Sequence, residues 1–173
     1  MSFLKGVLGR ARPSAMSEAL LVATGLGNIT LRLRPDAAPQ TVDHVKKLVA
    51  DQLYDNCCFY RSDFVIQGGL QRMDGSGVAN RHPDLTVNET NLHAKVSNER
   101  GTVAFGHWDV PDNGNSEFFI NLQHNPHLDS AYGGYCVFAQ TTDPDSMAVV
   151  DAIAAAIKGG AKTPITSVRL ATV

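Results

Sequence analysis

The stretch Phe59-Tyr60-Arg61-Ser62-Asp63-Phe64-Val65-Ile66-Gln67-Gly68-Gly69 sets one cation and one amide into a run of aromatic and branched residues that otherwise has the composition of a buried strand. Arginine is almost never fully buried without partners. Arg61 is therefore either a surface accident of the alternation or a donor placed at the wall of an apolar cleft, and the flanking sequence has to decide between the two.

Working outward on the N-terminal side, ALLVAT from Ala19, a turn at Gly25-Leu26-Gly27-Asn28 and ITLRLRP form a hairpin pattern. Ile29, Leu31 and Leu33 alternate there with Thr30, Arg32 and Arg34, so one face is wet. Pro39 opens a helix in which Val42, Val45, Leu48 and Val49 recur at helical spacing, with His44, Lys46 and Lys47 expected on the opposite side. Short β runs follow at CCFY, FVIQ, TVAFG, EFFINL and YCVFAQ, separated by polar loops rich in Gly, Asn, Asp and Pro, which suggests a closed or strongly curved sheet. A second helix fits Pro144 to Lys158, with Met147, Val150, Ile153, Ala154 and Ile157 as its buried stripe and Gly159-Gly160 as its stop. ITSVRLATV supplies the last strand. The pattern predicts a mainly β protein, a barrel with two packed helices.

With 173 residues the chain fits one ordinary domain with a sizeable core. A charged fraction of 18% and a net charge of -2 argue against a nucleic-acid partner. The three cysteines, Cys57, Cys58 and Cys136, are odd in number, two are adjacent, and no CxxC spacing occurs, so neither a disulfide framework nor a zinc site is expected. A reducing compartment fits this usage, and the cytoplasm is the expected location. No apolar run reaches the roughly 18 residues of a membrane span, so the chain is expected to be soluble, without membrane contact. Residues 1–17 carry Lys5, Arg10 and Arg12, no acid, and apolar Phe3, Leu4, Val7 and Leu8. That composition resembles a short presequence for the mitochondrion or another organelle; the plainer reading is an N-terminal extension, with Met16 as a second start and the domain spanning 18–173.

Other chemistries find little support. Adjacent cysteines at a strand start are usually small core hydrophobes, and no local signature makes Cys57 or Cys58 a nucleophile. His124 and His127 stand three apart in a loop, which is not the helical pair of a zinc peptidase. The glycines of GGLQRMDGSG do not spell a phosphate-binding loop, and no helix pattern follows them. Neither a cofactor nor a metal is expected.

Two segments remain, FYRSDFVIQGG and GNSEFFINL at Gly114 to Leu122. Together they resemble the signature segments of the cyclophilins, the peptidyl-prolyl cis-trans isomerases, in which Phe-x-Arg is followed by Phe-x-x-Gln-Gly-Gly and Gly-Ser-Gln-Phe-Phe-Ile. The resemblance runs in register from Leu20 to the C-terminus through APQTVDHVKKL, NERGTVAFG, HLD and YCVFA, and its short loop between Gln71 and Asn98 is similar to bacterial-type members. It implies a closed eight-stranded antiparallel β-barrel capped by two α-helices, acting as a monomer on proline-containing peptides and proteins. It also implies that Arg61, Gln67 and Phe64 are catalytic, and that Val65, Gly106, His107, Glu117, Phe119, His127, Leu128 and Tyr135 bind substrate. Phe64, Val65, Phe119 and Leu128 would hold the proline ring, and Gln67 would bond the substrate backbone and orient Arg61. The fork of Arg61, desolvated, would donate to the prolyl nitrogen as it leaves conjugation.

Departures from the family pattern mark what is particular to this chain. Glu117 stands where the family usually has Gln, placing a carboxylate in the cleft within expected reach of Arg61. Val65 replaces a frequent Met, and Gly106-His107-Trp108 replaces an Ala-Asn pair. His127 stands where many members have a Trp associated with tight cyclosporin binding, which implies reduced affinity for that drug. A second reading follows from these departures: a cyclophilin-fold module that binds proline-containing segments with little catalysis.

Overall fold

The computed structural model describes residues 15–173, so most of the 1–17 extension lies outside the described residues. At its inner end, Ser17 exchanges two backbone hydrogen bonds with Val173, at 2.8 and 2.9 Å. The described chain forms β1 (Glu18–Thr24), β2 (Gly27–Leu33), α1 (Pro39–Ala50), β3 (Cys57–Ser62), β4 (Val65–Arg72), β5 (Thr102–Phe105), β6 (Phe118–Asn121), β7 (Val137–Thr141), α2 (Pro144–Lys158) and β8 (Thr163–Thr172). The strands pair antiparallel in the closed order β1-β2-β7-β5-β6-β4-β3-β8, with β8 returning to β1. Closure removes the exposed edges that an open sheet of short strands would present.

Period-two alternation divides each strand between the barrel interior and its outer surface. Leu31, Phe59, Ile66, Ile120 and Phe138 point inward, where they meet Val42, Val45 and Leu48 of α1 and Val150 and Ile153 of α2. Tyr54, Phe118 and Phe59 stack edge to face with centroids 5.5 and 5.6 Å apart, the arrangement that ring quadrupoles favour. Outward-facing residues of five neighbouring strands form a second surface: Arg61 lies opposite Gln67, Gln67 opposite Phe119, Phe119 opposite Ala104, and Ala104 opposite Val137. That row becomes the floor of a cleft.

The helices depart from the sequence pattern in two respects. His44, expected on the wet side of α1, is buried: its Nε2 donates to the Asn115 carbonyl at 2.6 Å and its ring stands edge-on to Phe105. The loop before β6 covers a flank of α1 that helical periodicity assigns to solvent. In α2, Ser146 is buried while Met147 and Ile157 are only partly so, because the Ser146 hydroxyl accepts from the Thr30 amide of β2 at 2.9 Å. Ser146 also lies in the first turn, where Asp143 caps the helix by accepting from its amide. Helix α1 has no such cap from Ala38. Instead the buried carboxylate of Glu89, from the long loop after β4, accepts from the amides of Gln40 and Thr41 at 3.0 and 2.8 Å, where the helix dipole favours an anion.

Candidate active site

Phe59 faces the core, so strict alternation would send Tyr60 outward and Arg61 back into the barrel. The β3–β4 register prevents this: Phe59 pairs with Gly68 and Arg61 with Gln67, leaving Tyr60 as an extra residue in a β-bulge. A bulge re-aims the side chains on either side of it. Arg61 consequently emerges beside Tyr60 on the outer face, with 44% of its side chain exposed. The cation in the quoted stretch is a placed donor, and the bulge is the means of placing it.

The tight β3–β4 hairpin then fixes where the guanidinium points. Asp63 donates its amide to the Val65 carbonyl at 3.0 Å and accepts the Val65 amide on Oδ1 at 3.2 Å, which anchors the carboxylate in the turn. Its other oxygen, Oδ2, receives Nε and Nη2 of Arg61 at 2.8 and 2.7 Å. Nη1 donates to Gln67 Oε1 at 2.8 Å, and the guanidinium carbon lies 5.7 Å from the centre of the Phe64 ring. A guanidinium has five N–H donors. Three are engaged here, which leaves two N–H groups for a ligand. An ion pair this exposed contributes less than about 1 kcal/mol to stability, so its effect is orientation.

Glu117, at the entry to β6, does not touch Arg61. Its Oε2 accepts from the Tyr60 hydroxyl at 2.5 Å and from Gln67 Nε2 at 3.1 Å, and Gln67 Nε2 also donates to the Tyr60 oxygen at 3.0 Å. Burial, reinforced by the Glu117 hydrogen bond, pushes the Tyr60 pKa up, so the phenol stays protonated. Gly69 makes room for this carboxylate, since a methyl group added there would collide with it. Gln67 has thereby committed both amide protons inside the protein, and toward a ligand it keeps only acceptor capacity. The bond to a substrate backbone expected of it is therefore one that it accepts.

Arg61, Gln67 and Glu117 line one cleft of about 680 Å³ together with Phe64, Val65, Gly106, His107, Phe119, His127, Leu128 and Tyr135. Val65, Phe119 and Leu128 are buried in its floor over Ala104 and Val137. Phe64 forms a wall, with the His127 ring edge-on at 5.2 Å. On the other side Tyr135 and His107 stack 4.2 Å apart, and His107 Nε2 donates to the Gly134 carbonyl at 2.8 Å. Burial raises the Tyr135 pKa. Gly106 donates its amide to the Glu117 carbonyl at 2.7 Å, tying the two rims together. Every side chain singled out in the sequence therefore reaches the same cleft. Tyr60 also lines it, and Asp63 holds Arg61 from the adjoining turn; both went unassigned, although both sit within the quoted stretch beside Arg61. Trp108, 81% exposed, and Tyr132 complete the rim.

The cleft can hold a small apolar ring on its floor while presenting two guanidinium N–H groups at its edge. In the free protein Arg61 is half exposed rather than desolvated as expected, so only a ligand lying over it would exclude water. A nucleophilic alternative fares poorly. Cys57 and Cys58 are buried in the barrel wall, and burial pushes the Cys57 thiol up to about 11. Ser97 gives its proton to Asp129 while His124 lies 3.4 Å from the same hydroxyl, an order that leaves the histidine no serine proton to take. Among the described residues no group of three or more His, Cys, Asp or Glu side chains is placed to hold a metal ion, and no helix is long and apolar enough to cross a membrane.

Residues 19–173 match the family model described as cyclophilin type peptidyl-prolyl cis-trans isomerase/CLD. Peptidyl-prolyl cis-trans isomerase B of Escherichia coli is 36% identical over 137 residues, covering 75% of this chain and 80% of that protein. A peptidyl-prolyl cis-trans isomerase of Helicobacter pylori is 33% identical over 134 residues, covering 76% and 78%. Among solved structures, a cyclophilin type peptidyl-prolyl cis-trans isomerase from Cryptosporidium parvum superposes with a TM-score of 0.67 at 18% identity, over 90% of this chain and 98% of that one. The same protein crystallised in the presence of the dipeptide Ala-Pro gives 0.66 at 18% identity, over 88% and 98%.

Proposed function

The chain belongs to the cyclophilin-type peptidyl-prolyl cis-trans isomerases, and from that premise we propose that its cleft accelerates rotation about X-Pro bonds with Arg61 as the catalytic donor. The observation that carries this reading is the guanidinium held at the edge of an apolar floor with two N–H groups unspent. Resonance keeps an X-Pro amide planar behind a barrier of about 18 to 20 kcal/mol, and uncatalysed rotation takes tens to hundreds of seconds. Twisting the bond returns the nitrogen lone pair, which planarity had tied up in conjugation. A donor aimed at that lone pair is therefore stronger in the transition state than in the ground state, the condition for lowering the barrier.

In this reading the proline ring sits on Val65, Phe119 and Leu128 against the Phe64 wall, and the substrate itself covers Arg61 and removes competing water. The Gln67 carbonyl oxygen holds the guanidinium and retains a lone pair for a substrate N–H. Turnover of about 10 to 1000 per second requires roughly 4 to 7 kcal/mol of transition-state stabilisation, the scale of one charge-assisted hydrogen bond together with positioning. No bond breaks and no proton is transferred. The proposed substrates are proline-containing peptides and proteins, with assistance to folding as the outcome, and cyclosporin binds the same cleft with reduced affinity. The cleft is built from a single chain, which supports action as a monomer. Three free, buried cysteines support the proposed cytoplasmic location.

The test is a protease-coupled assay, or exchange spectroscopy, on a short X-Pro peptide. Acceleration well above the spontaneous rate is expected. Saturable binding of the peptide without acceleration would replace this reading with that of a proline-binding module.

A further inference from the structure

The carboxylate of Glu117 meets only neutral partners. Its Oε2 takes the Tyr60 hydroxyl and the Gln67 amide, and no ion pair among the described residues includes it. The cation of the cleft is already matched, because Nε and Nη2 of Arg61 both go to Asp63 Oδ2, at 2.8 and 2.7 Å. No donor among the described residues reaches Glu117 Oε1, and that atom is not enclosed, since the buried side-chain atoms left without a partner belong to Ser62, Thr90 and Asn125. Glycines lie on both sides of it. The carboxylate rests over Gly69, where an added Cβ would stand 2.2 Å from Oε1, and the Cβ of Glu117 lies 3.1 Å from where one would stand on Gly106. Neither position has a side chain to cover the acid or to counter its charge. The lining of the cleft therefore includes a partly exposed carboxylate with one oxygen to spare.

We propose that the cleft selects proline segments carrying a lysine or arginine within two residues of the proline, and that Glu117 is the residue that reads this charge. The inference rests on the reading of the cleft as the site for X-Pro segments. Glu117 stands two residues before Phe119, about 7 Å along the strand at roughly 3.3 Å per residue. An extended peptide whose proline ring lies on Phe119 covers that distance in two residues, at the same rise. A basic side chain arriving there finds an acceptor that only water otherwise occupies, beside an apolar floor that weakens screening. An acidic side chain in the same place would face the carboxylate with no counter-ion, and the cleft disfavours it.

The test uses short peptides with one proline, in which lysine, its neutral counterpart norleucine, or glutamate occupies in turn each of the two positions before and after the proline. Exchange spectroscopy gives kcat and KM, and calorimetric titration gives Kd. At one or more positions lysine is expected to exceed norleucine roughly fivefold in kcat/KM, the scale of one partly exposed ion pair, with glutamate below norleucine. The preference should lie in KM and Kd rather than kcat, because the pair forms in ground and transition states alike. In Glu117→Gln the ratio of lysine to norleucine is expected to fall below about twofold. That ratio is taken within one protein, so any general effect of the substitution on the cleft cancels. Lysine and norleucine within about 1.5-fold of each other at every position, or a preference that survives Glu117→Gln, overturns the proposal. Should the variant fail to fold, the wild-type series at low and high salt decides: a lysine preference that salt weakens supports the charge reading, and one that salt leaves unchanged overturns it. Absence of acceleration for every peptide would be a different failure, that of the isomerase reading, and the Kd ratios would then test the charge preference by themselves.

Discussion

Replacing Arg61 tests the proposed chemistry most directly, and its size follows from the contacts. Of the five guanidinium donors, three serve Asp63 and Gln67, so the substrate has two at its disposal. In the planar ground state the prolyl nitrogen offers no lone pair, and the bond to it forms only as the amide twists. Losing one charge-assisted hydrogen bond realised only in the transition state costs about 1.5 to 3 kcal/mol, or roughly 10- to 150-fold in kcat/KM, with the larger share in kcat. Arg61→Ala should fold normally, because Asp63 is 41% exposed and water replaces its partner at little cost. Arg61→Lys should lose at least about tenfold as well, since a compact ammonium cannot hold Asp63 and Gln67 while presenting a parallel fork. Protease-coupled kinetics at low temperature, with thermal melting as the control, measure both effects. Either variant turning over within about threefold of wild type, with an unchanged melting temperature, would refute the assignment of Arg61 as the donor.

Three further outcomes are expected. His127→Trp extends the wall formed with Phe64, so calorimetric titration should show cyclosporin binding tightened about tenfold, or 1.4 kcal/mol, and an unchanged Kd would place the limit elsewhere in the cleft. Burial holds the His44 pKa below its ordinary 6.5. As the pH falls through and below that value the unfolded chain takes up the proton first, so His44 contributes stability that is complete above about 6.5 and is lost toward lower pH; urea titrations at pH 7 and pH 5 should show a steeper loss for wild type than for His44→Gln, and identical slopes would contradict the placement. Trp108 is the sole tryptophan and stands exposed on the cleft rim, so saturation with a proline peptide should move its fluorescence to shorter wavelength, and emission that ignores the peptide would put the indole out of reach of the occupied cleft.

Much of the architecture was legible locally. Alternation in ITLRLR marks a strand with one wet face, FVIQ and EFFINL stand out as short apolar runs between polar loops, and proline opens both helices while glycine stops the second, because these signals act within a few residues of chain. The floor residues Val65 and Phe119 came from the match to two signature segments and Leu128 from the HLD match, and all three reach the same cleft. Glu89 as the cap of α1, by contrast, has no local signal. It lies 48 residues beyond Thr41, and only the course of the loop after β4 brings its carboxylate to the helix.

The same division runs through the site. The sequence by itself determined that a cation, an amide and several aromatics are concentrated in two strand segments of a curved β protein. Which face each side chain takes was decided by the tertiary structure. One extra residue at Tyr60 shifts the register of β3 against β4, and a shift of one residue moves every subsequent side chain to the opposite face. Composition and periodicity do not record that shift, because a bulge belongs to the pairing of two strands and to neither strand alone. The partners of Arg61 and Glu117 follow from it: with Tyr60 and Arg61 brought out together over Gln67, Asp63 and Gln67 take the guanidinium while Tyr60 and Gln67 take the carboxylate. Hydrogen bonds between distant strands form only where closure of the barrel has already set their spacing, and that spacing is a property of all eight strands at once.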